Sequence, residues 1–519
     1  MSVKLTVYDG CDTIGGNKIF LECDDYGVLL DFGINYEKLG KYYEEFLAPR
    51  TGRGIYDYLC TGQLPKVNVY RDDLIPADID ISDFRKLRVN AVFASHAHLD
   101  HVGMIPMLNM EIPLIGSPMT YAILKCLRDC DSHRIEHEIM YSGMRKRCCN
   151  GRLLVSERKK PFLTRSLVVT APISKKLEEF LTACPWQKGS YPPDFIDSSE
   201  ISIEFRHFDV DHSIYGASAF AIHTPLGWIV YSGDLRMHGR FADKTKEFIS
   251  EAKKLHPIAL IIEGTRIDAT SEDVSEDDVR EKCAAAVADE KDLVVADFSP
   301  RNFERLETFK KIASEYGREL VVLMKDAYYL DALSCVHGSD QLEGIRIYQD
   351  LKKRIEGFEK KIVEKYEDAL IDSEEIAVNP GSFIVCFSFW DMNRLLDIRP
   401  DGGTYIYSSS EAHTEDQLID FVRLKNWLKM FRMKIKGFKV CETLHGQQPV
   451  FEIEPGYHAS GHASQHDIFK IIEAIDPEIV IPVHTKRPND FLRLEQQKIL
   501  IPSKNNEVDL DRVLCEQKL

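Results

Sequence analysis

Short apolar runs at the beginning of the chain predict a set of paired strands. Leu5–Asp9, Ile19–Cys23 and Gly27–Asp31 are each long enough for a strand and are rich in Val, Ile, Leu and Phe. Gly15-Gly16-Asn17 lies between the first two runs and is typical of a turn. The chain therefore opens with strands that are joined by tight connections.

Further apolar runs predict strands that lead directly into polar side chains. Arg88–Ser95 has the continuous apolar centre of a strand that is covered on both faces. It is followed by a strand candidate at Ile112–Ile115 and by a helix from Thr120. The same pattern returns in four more runs, which are Ile201–Val210, Ala217–His223, Gly227–Ser232 and Ile258–Ile262.

From about residue 270 to 440, strand-like and helix-like segments alternate, which favours α/β units around a largely parallel sheet. The clearest segments are Leu293–Asp297, Asn302–Glu315, Leu320–Met324 and Phe383–Phe387. A helix at Gln465–Ala474 and a strand at Glu478–Val483 follow.

Residues 128–200 break this order, and we interpret them as a helical excursion or cap. The segment is charged, contains Cys148-Cys149 and ends in Tyr191-Pro192-Pro193. One alternative is a metal site on a helix, and a set of unconnected thiols and imidazoles is the simpler interpretation. The four candidate ligands are Cys126, Cys130, His133 and His137.

Length and charge restrict the class of protein. With 519 residues the chain exceeds the size at which single cores stop growing, roughly 250–300 residues, so we expect two domains or one with a large insertion. The net charge of −17 argues against a broad basic surface for nucleic acid, although basic runs such as Arg145-Lys146-Arg147 and Lys429 to Lys439 leave room for a local one. The runs are equally consistent with solvated faces.

Cysteine content and hydropathy indicate where the protein acts. The 13 cysteines form no regular framework, which favours reduced thiols in the cytoplasm. Neither a secretory leader nor an apolar run of about 18 residues is found, so the chain is predicted to have no membrane span.

The densest chemical feature is the hexapeptide His96-Ala97-His98-Leu99-Asp100-His101. Imidazole nitrogens and carboxylate oxygens are ligands for zinc and similar divalent ions. A regular helix or strand cannot direct all four side chains to one point, but a turn directly after a buried strand can. We therefore predict a metal site at this turn.

Other potential ligands also follow apolar runs, where active-site loops concentrate. His212 lies in Asp209-Val210-Asp211-His212, Asp234 in Tyr231-Ser232-Gly233-Asp234, and His484 in Ile481-Pro482-Val483-His484. Each alone would be an ordinary loop residue. Together with the hexapeptide they supply enough ligands for two metal ions.

These motifs resemble those of the metallo-β-lactamase superfamily. The hexapeptide resembles its HxHxDH signature, Asp31 in Leu30-Asp31-Phe32-Gly33 resembles its first motif, and His212, Asp234 and His484 follow in the expected order. The long stretch between Asp234 and His484 resembles the β-CASP nucleases: Glu263 matches motif A, His462 matches motif B and His484 matches motif C. Within that group the chain is most similar to the ribonuclease J-like branch.

The resemblance implies a fold and its domain limits. The expected fold is α/β, an αββα sandwich with an inserted β-CASP α/β domain. The sandwich would comprise residues 1–268, with the helical excursion at about 128–200, and a return segment at 449–519. The insert would comprise residues 269–448.

The resemblance also implies a set of roles. His96, His98 and His212 would hold one metal ion, and Asp100, His101 and His484 the other, with Asp234 bridging them and Asp31 orienting a ligand imidazole. The metals are expected to be two divalent ions, Zn²⁺ or alternatively Mn²⁺, which activate water for attack on a phosphodiester. His462 would be the general acid and Glu263 its carboxylate partner. Asp100 would be a catalytic residue as well as a metal ligand.

The implied function is a ribonuclease, acting as a 5′-to-3′ exonuclease, an endonuclease or both. A histidine at motif C is typical of RNA-processing members. Contacts to RNA are expected from Ser299, Arg301, Ser460 and Ser464, although the family's glycine-rich phosphate turn is replaced here by Phe387-Ser388-Phe389-Trp390 and Ser408-Ser409-Ser410. A homodimer is a further expectation.

Three rival functions stay open at this point. A small-molecule hydrolase of the same fold would lack the long insert with Glu263 and His462. A non-catalytic homologue would have lost metal ligands and would purify without metal. A DNA-processing nuclease is disfavoured by His484.

Overall fold

The computed structural model describes residues 2–44, 46–131, 134–157, 160–184, 193–269, 273–409, 415–441 and 450–515. The chain divides into two compact units. The first comprises Met1–Met237, Phe241–Ser271 and His462–Leu519, and the second comprises His238–Arg240 and Glu272–Gly461. The centres of the predicted strands and helices lie within or directly beside observed elements, except in residues 128–200.

The first part of unit 1 contains strands and helices up to Glu263. Its strands are β1 (Val3–Asp9), β2 (Lys18–Cys23), β3 (Gly27–Phe32), β4 (Ala91–Phe93), β5 (Leu114–Gly116), β6 (Tyr141–Ser142), β7 (Arg145–Cys148), β8 (Leu153–Ser156), β9 (Leu163–Thr164), β10 (Leu167–Val169), β11 (Phe195–Ile196), β12 (Phe205–Asp209), β13 (Ser218–Thr224), β14 (Gly227–Tyr231) and β15 (Ala259–Glu263). Its helices are α1 (Tyr36–Gly40), α2 (Tyr56–Cys60), α3 (Leu99–Val102), α4 (Pro118–Cys130), α5 (Lys175–Thr182) and α6 (Ala242–Lys254).

Unit 2 follows, and the chain then returns to unit 1. The strands of unit 2 are β16 (Val294–Asp297), β17 (Glu319–Leu323), β18 (Ile345–Tyr348), β19 (Leu370–Ile371), β20 (Phe383–Val385), β21 (Thr404–Tyr407), β22 (Lys434–Lys436), β23 (Phe438–Cys441) and β24 (Val450–Ile453). Its helices are α7 (Glu276–Ala288), α8 (Phe303–Glu315), α9 (Met324–His337), α10 (Gly357–Lys365), α11 (Ser373–Val378), α12 (Leu395–Ile398) and α13 (Glu415–Met430). The return segment contains α14 (Gln465–Ile475), β25 (Ile479–Val483), β26 (Lys498–Ile499), β27 (Glu507–Asp509) and α15 (Leu510–Cys515).

Two sheets face each other in unit 1. Within the described residues, the first has the order β11-β10-β5-β4-β3-β2-β1-β27 and the second the order β12-β13-β14-β15-β25-β26. Leu30 of β3 and Ile261 of β15 belong to one buried cluster between the sheets. Leu260 and Ile262 point to the opposite face of β15, where α6 and α14 cover it. Because β15 is buried on both faces, its sequence is apolar throughout, as is usual for such strands.

A helix also covers the outer face of the first sheet. Tyr121 of α4 is buried, and its hydroxyl donates to the carbonyl oxygens of Leu114 at 2.7 Å and Val168 at 2.8 Å. The layers of unit 1 are therefore helix, sheet, sheet and helix. The predicted αββα sandwich is confirmed.

Unit 2 is built on a parallel sheet. Its described strands have the order β19-β18-β17-β20-β16-β21-β22, and each of these pairings is parallel. On one face, Val295 of β16 shares a buried cluster with Leu395 of α12 and Leu424 of α13. This agrees with the predicted inserted α/β domain.

Residues 128–200 differ from the predicted helical excursion. Their described part contains the short strands β6 to β11, and after α4 ends its helical segments are α5 and two short 3-10 turns, Ile135–His137 and Ser198–Glu200. Strands β7 and β8 form a hairpin whose connection has positive φ at Cys149, Asn150 and Gly151. Asn-Gly is a strong turn signal that favours positive φ, and it outweighs the helical tendency of the flanking charged residues.

The alternative metal site in this segment gains no support. His133, Tyr191 and Pro192 lie outside the described residues. Cys126 is buried in α4, and His137 forms an ion pair with Asp131 at 3.1 Å. Cys126, Cys130 and His137 are in none of the metal-binding groups found among the described residues.

We expect Asp326→Asn to stabilise unit 2 at neutral and alkaline pH. Asp326 is buried in the first turn of α9, where its Oδ2 accepts a hydrogen bond from the backbone N–H of Leu323 at 3.3 Å. Burial and the negative charge of Asp391 raise the pKa of Asp326 from 3.8 to about 7. In the unfolded chain the carboxyl ionises near pH 4, so stability falls as the pH rises from about 4 to about 7. Asparagine keeps an acceptor and removes this penalty.

Urea denaturation at several pH values measures the effect. The free energy of unfolding should rise by roughly 2–4 kcal/mol at pH 8, and the difference should vanish below about pH 4. Asp368→Asn, at an exposed position of the same unit, is the control and should change little. A gain that is independent of pH would contradict this account.

Candidate metal centre

The predicted metal-binding hexapeptide lies in the turn between β4 and α3. The strand ends at Phe93, and α3 begins at Leu99, so His96 and His98 lie in the connection and Asp100 and His101 lie in the helix. This change from extended to helical backbone directs the four side chains to neighbouring points. His96 and His101 are completely buried.

One group of potential ligands consists of three histidines. The Nε2 atom of His96 lies 3.0 Å from Nδ1 of His98, and Nε2 of His212 lies 3.2 Å from the same atom. His212 reaches the group from the turn after β12, in the second sheet. Ligands at 2.0–2.1 Å from a tetrahedral zinc ion would be about 3.4 Å apart, so these nitrogens have suitable spacing.

A second group joins the hexapeptide to the end of β25. Nε2 of His484 lies 3.2 Å from Nε2 of His101 and 3.3 Å from Oδ2 of Asp100. Asp234, which follows β14, lies beside both groups. Its Oδ2 is 3.0 Å from Nε2 of His101 and 3.8 Å from Nε2 of His96.

The donor set fits divalent metal ions. In each of the groups His96–His98–His212, His96–His101–Asp234 and Asp100–His101–His484, the ligand atoms lie within 4.8 Å of one another. The second carboxylate oxygen of Asp234, Oδ1, is buried and accepts no hydrogen bond from the residues that the structure describes. A buried carboxylate oxygen without a donor is costly, and a metal ion would satisfy it.

Asp31 holds His101 in place. Its Oδ2 accepts hydrogen bonds from Nδ1 of His101 at 2.7 Å, the hydroxyl of Ser95 at 2.7 Å and the hydroxyl of Tyr231 at 2.6 Å. Asp31 has a φ of 57°, which is uncommon for a residue other than glycine. Because Nδ1 of His101 donates to Asp31, Nε2 is the ring atom that faces Asp234 and His484, where it could bind a metal ion.

Sequence reasoning missed Ser95, Tyr231 and Thr265, which support the ligands. The hydroxyl of Ser95 lies 3.0 Å from Nδ1 of His96, and the hydroxyl of Thr265 lies 2.8 Å from Nδ1 of His484. Ser95 and Tyr231 stand directly beside predicted motifs, and Thr265 belongs to the motif that contains Glu263. The available signal was that all three residues lie next to predicted motifs. Hydroxyl residues are too common in turns for that signal to identify them as supporting contacts.

His462 and Glu263 form an ion pair beside Asp234. Nδ1 of His462 lies 3.0 Å from Oε1 and 3.1 Å from Oε2 of Glu263, and 3.9 Å from Oδ2 of Asp234. Burial alone would lower the pKa of His462, but the attraction of Glu263 and Asp234 outweighs burial and raises the pKa to about 9. The imidazole is therefore protonated at neutral pH.

Glu263 itself is fixed by the backbone. Its Oε1 accepts from the N–H of Leu235 and its Oε2 from the N–H of Thr265, each at 3.1 Å. Burial acts to raise the pKa of Glu263, but the charge of His462 overcomes it and lowers the pKa. This carboxylate can therefore hold a charged imidazole in one orientation.

The four predicted substrate contacts are distributed over both units. Ser299 and Arg301 lie in unit 2, in the loop between β16 and α8, and Ser460 lies near the end of that unit. Ser464 lies in unit 1, directly before α14, and is buried. Their roles stay predictions. The sequence offered Phe387–Trp390 and Ser408–Ser410 in place of a glycine-rich phosphate turn. Ser410 lies outside the described residues.

Comparisons with known proteins agree with these motifs. Residues 450–489 match the family described as "Zn-dependent metallo-hydrolase RNA specificity domain". The chain is 22% identical to ribonuclease J of Pyrococcus abyssi, covering 93% of this chain and 89% of that protein. It is also 22% identical to ribonuclease J of Methanocaldococcus jannaschii, covering 93% of this chain and 91% of that protein.

A solved structure resembles the chain over almost its whole length. It is a protein of unknown function from Enterococcus faecalis, with a TM-score of 0.66 and 22% identity, covering 98% of this chain and all of that one. The likeness concerns the fold alone. The fold and the motifs resemble those of the metallo-β-lactamase superfamily with a β-CASP insert. Within that class the chain is similar to ribonuclease J, and the predicted resemblance is confirmed.

Among the helices that the structure describes, none is long and apolar enough to cross a membrane.

We expect Thr265→Val to weaken metal binding at the His484 group. The hydroxyl of Thr265 accepts a hydrogen bond from Nδ1 of His484 and donates to the carbonyl oxygen of the same residue at 3.4 Å. Valine keeps the shape but leaves the imidazole free to rotate and to exchange tautomers. Loss of such a supporting contact usually costs about 10–100-fold in metal affinity.

Competition with a chromophoric chelator measures both metal affinities. One site should weaken by at least about tenfold while the other is nearly unchanged. Thr182→Val, at the end of α5, is the matched control. Two unaltered affinities in the Thr265 variant would show that its hydroxyl does not orient a ligand.

Proposed function

We propose that the protein is a metal-dependent ribonuclease that hydrolyses RNA phosphodiester bonds. The observation that carries this proposal is the ion pair between His462 and Glu263, held beside Asp234 and the two ligand groups. The similarity to proteins named ribonuclease J and to an RNA specificity domain supports RNA as the substrate.

The residues proposed as ligands for two ions lie close together. His96, His98 and His212 would hold one ion, Asp100, His101 and His484 the other, and Asp234 would contact both. When bound, two divalent ions activate water and neutralise the negative charge that develops on the phosphate. Asp31 and Thr265 keep the imidazoles of His101 and His484 in the tautomers that this coordination requires.

His462 is proposed as the general acid. Its Nδ1 is bonded to Glu263, so Nε2 is the atom that would donate a proton to the leaving 3′-oxygen. A pKa of about 9 keeps the proton on the ring at neutral pH, and proton transfer of this kind usually contributes about 10²–10⁴-fold to the rate. Glu263 is a positioning residue, because it acts through the imidazole.

Several finer features are part of the proposal. Ser299, Arg301, Ser460 and Ser464 would contact RNA, and zinc is proposed over manganese because imidazole dominates the donor set. We retain the domain limits 1–268, 269–448 and 449–519, and a homodimer that light scattering would detect. A cytoplasmic location is proposed because the cysteines with described side chains are free thiols.

The decisive experiment compares wild type with His462→Ala on several nucleic acids. The substrates are 5′-monophosphorylated, 5′-triphosphorylated and circular RNAs and DNAs of matching sequence, with zinc or manganese present. We expect wild type to cut RNA and His462→Ala to lose about 10²–10⁴-fold in kcat while it retains its metal. His466→Ala, at an exposed position on α14, is the matched control and should retain full activity.

Each alternative gives a different result. Cleavage of DNA in preference to RNA would indicate a DNA-processing nuclease. Hydrolysis of a thioester or lactone without nuclease activity would indicate a small-molecule enzyme. Chelation should abolish activity and added zinc or manganese should restore it, and a chain that purifies without metal and cuts no RNA would overturn the proposal.

A further inference from the structure

Three lysines surround one buried aspartate at the end of β1. We call Lys18, Lys38 and Lys504 the lysine cluster. Their ammonium nitrogens lie 3.8, 2.5 and 3.9 Å from the carboxylate oxygens of Asp9. The lysines come from three separate segments, which are the start of β2, helix α1 and the turn before β27.

The lysine cluster has more positive charge than Asp9 can neutralise. Lys18 is completely buried, and among the residues that the structure describes its ammonium group contacts the carboxylate of Asp9 and the carbonyl oxygen of Gly16, the latter at 3.2 Å. Burial lowers the pKa of Lys18 to about 8 even though Asp9 opposes this change. The exposed side chain of Asp12 adds one more negative charge near Lys504. Three ammonium groups against two carboxylates, one of them solvated, leave a surplus that an anion would stabilise.

The position of the lysine cluster connects it to the metal centre. Asp9 precedes Gly10, whose carbonyl oxygen accepts a hydrogen bond from the backbone N–H of His484 at 2.6 Å. Further along the same loop, the N–H of Gly16 donates to the carbonyl oxygen of Asp100 at 2.9 Å. The loop from Gly10 to Gly16 therefore lies between the lysine cluster and the potential ligands of one metal ion.

The outer members of the cluster are accessible. The side chain of Lys504 is 31% exposed and that of Lys38 is 17% exposed. Lys486, two residues after His484, is largely solvated and pairs with Glu37 of α1 at 3.3 Å, so it adds no net charge to this surface. In a protein with a net charge of −17, this local surplus of positive charge is unusual.

We infer that the lysine cluster binds a backbone phosphate of single-stranded RNA and so guides the strand to the metal centre. The inference rests on the proposed function. It adds an RNA contact to the four that the sequence predicted, which are Ser299, Arg301, Ser460 and Ser464. Lys38 and Lys504 would bind phosphate oxygens, and Lys18 would support them from below through the shared carboxylate of Asp9. Ammonium groups suit this task because they recognise phosphate as point charges and carry no base preference.

The test is the salt dependence of RNA binding by Lys38→Gln, Lys504→Gln and the double variant. Binding of a short fluorescent single-stranded RNA is measured by anisotropy over a range of KCl concentrations at fixed divalent metal, with every protein also carrying His462→Ala so that the RNA stays intact. Each lost phosphate contact on a single strand should reduce the slope of log Kd against log salt by about 0.7, so the double variant should lose about 1.4. Affinity should fall by about tenfold at low salt and converge with wild type at high salt.

Cleavage kinetics and matched variants complete the experiment. KM should rise in the double variant while kcat is nearly unchanged, and Lys38→Arg should preserve the salt slope. Lys246→Gln removes a lysine of α6 that also forms an ion pair, with Asp243 at 2.9 Å, and should leave the slope unchanged.

The outcomes separate this inference from the proposed function. A wild-type protein that cuts no RNA under any condition would contradict the proposed function, and RNA binding would still test the lysine cluster. Normal cleavage with an unchanged salt slope in the double variant would overturn the inference. So would a lower melting temperature together with equal losses in kcat and affinity, because that result indicates a purely structural ion-pair cluster.

Discussion

The feature on which the rest of the site depends is the burial of several imidazoles and carboxylates with their ligand atoms aimed at one another. Oδ2 of Asp234 lies within 4 Å of nitrogens from His96, His101 and His484, and its other oxygen is buried. In an apolar interior such an arrangement is costly unless cations occupy it. The way unit 1 folds thus favours a bound metal ion at this site, independently of the proposed catalysis.

The two facing sheets make this burial achievable. The hexapeptide follows a strand of the first sheet, whereas His212, Asp234 and His484 follow strands of the second, so ligands meet only where the two sheets pack at the same edge. Asp31 and His484 both have φ values above 50°, which shows that the backbone accepts strained conformations at these strand ends. Hydrogen bonds from buried side chains hold these conformations in place.

Charged side chains around the candidate metal centre have different roles. Glu263 keeps an imidazolium at His462, whereas Asp31 accepts the Nδ1 proton of His101 and so turns Nε2 of that ring towards Asp234 and His484. The two carboxylates thus fix the orientations of two histidines of the same site. Positive charge from the lysine cluster lies on the other side of the loop from Gly10 to Gly16, in a chain that is otherwise acidic.

The sequence by itself determined most elements and the set of potential ligands. The end of β25 at Val483 and the hexapeptide after β4 could be predicted because apolar runs stop abruptly at polar residues. The order of the ligand motifs along the chain came from the family resemblance. Residues 128–200 were misread because their strands are short and charged, and a turn at Asn150-Gly151 decides their pairing. Local pattern carries little information about such edge hairpins.

Only the tertiary structure decided which side chains support the ligands. Ser95, Tyr231 and Thr265 are separated by up to 170 residues in the chain, and no local pattern distinguishes them from other hydroxyl residues. The same holds for Lys18, Lys38 and Lys504, whose charges look solvated when each is read alone. Their proximity to Asp9 depends on the antiparallel register of β1 and β2 and on the return of the chain at β27. These contacts arise from long-range packing, about which the periodicity of the sequence carries no information. That is the physical reason why the sequence predicted the ligand motifs but not the residues that support them.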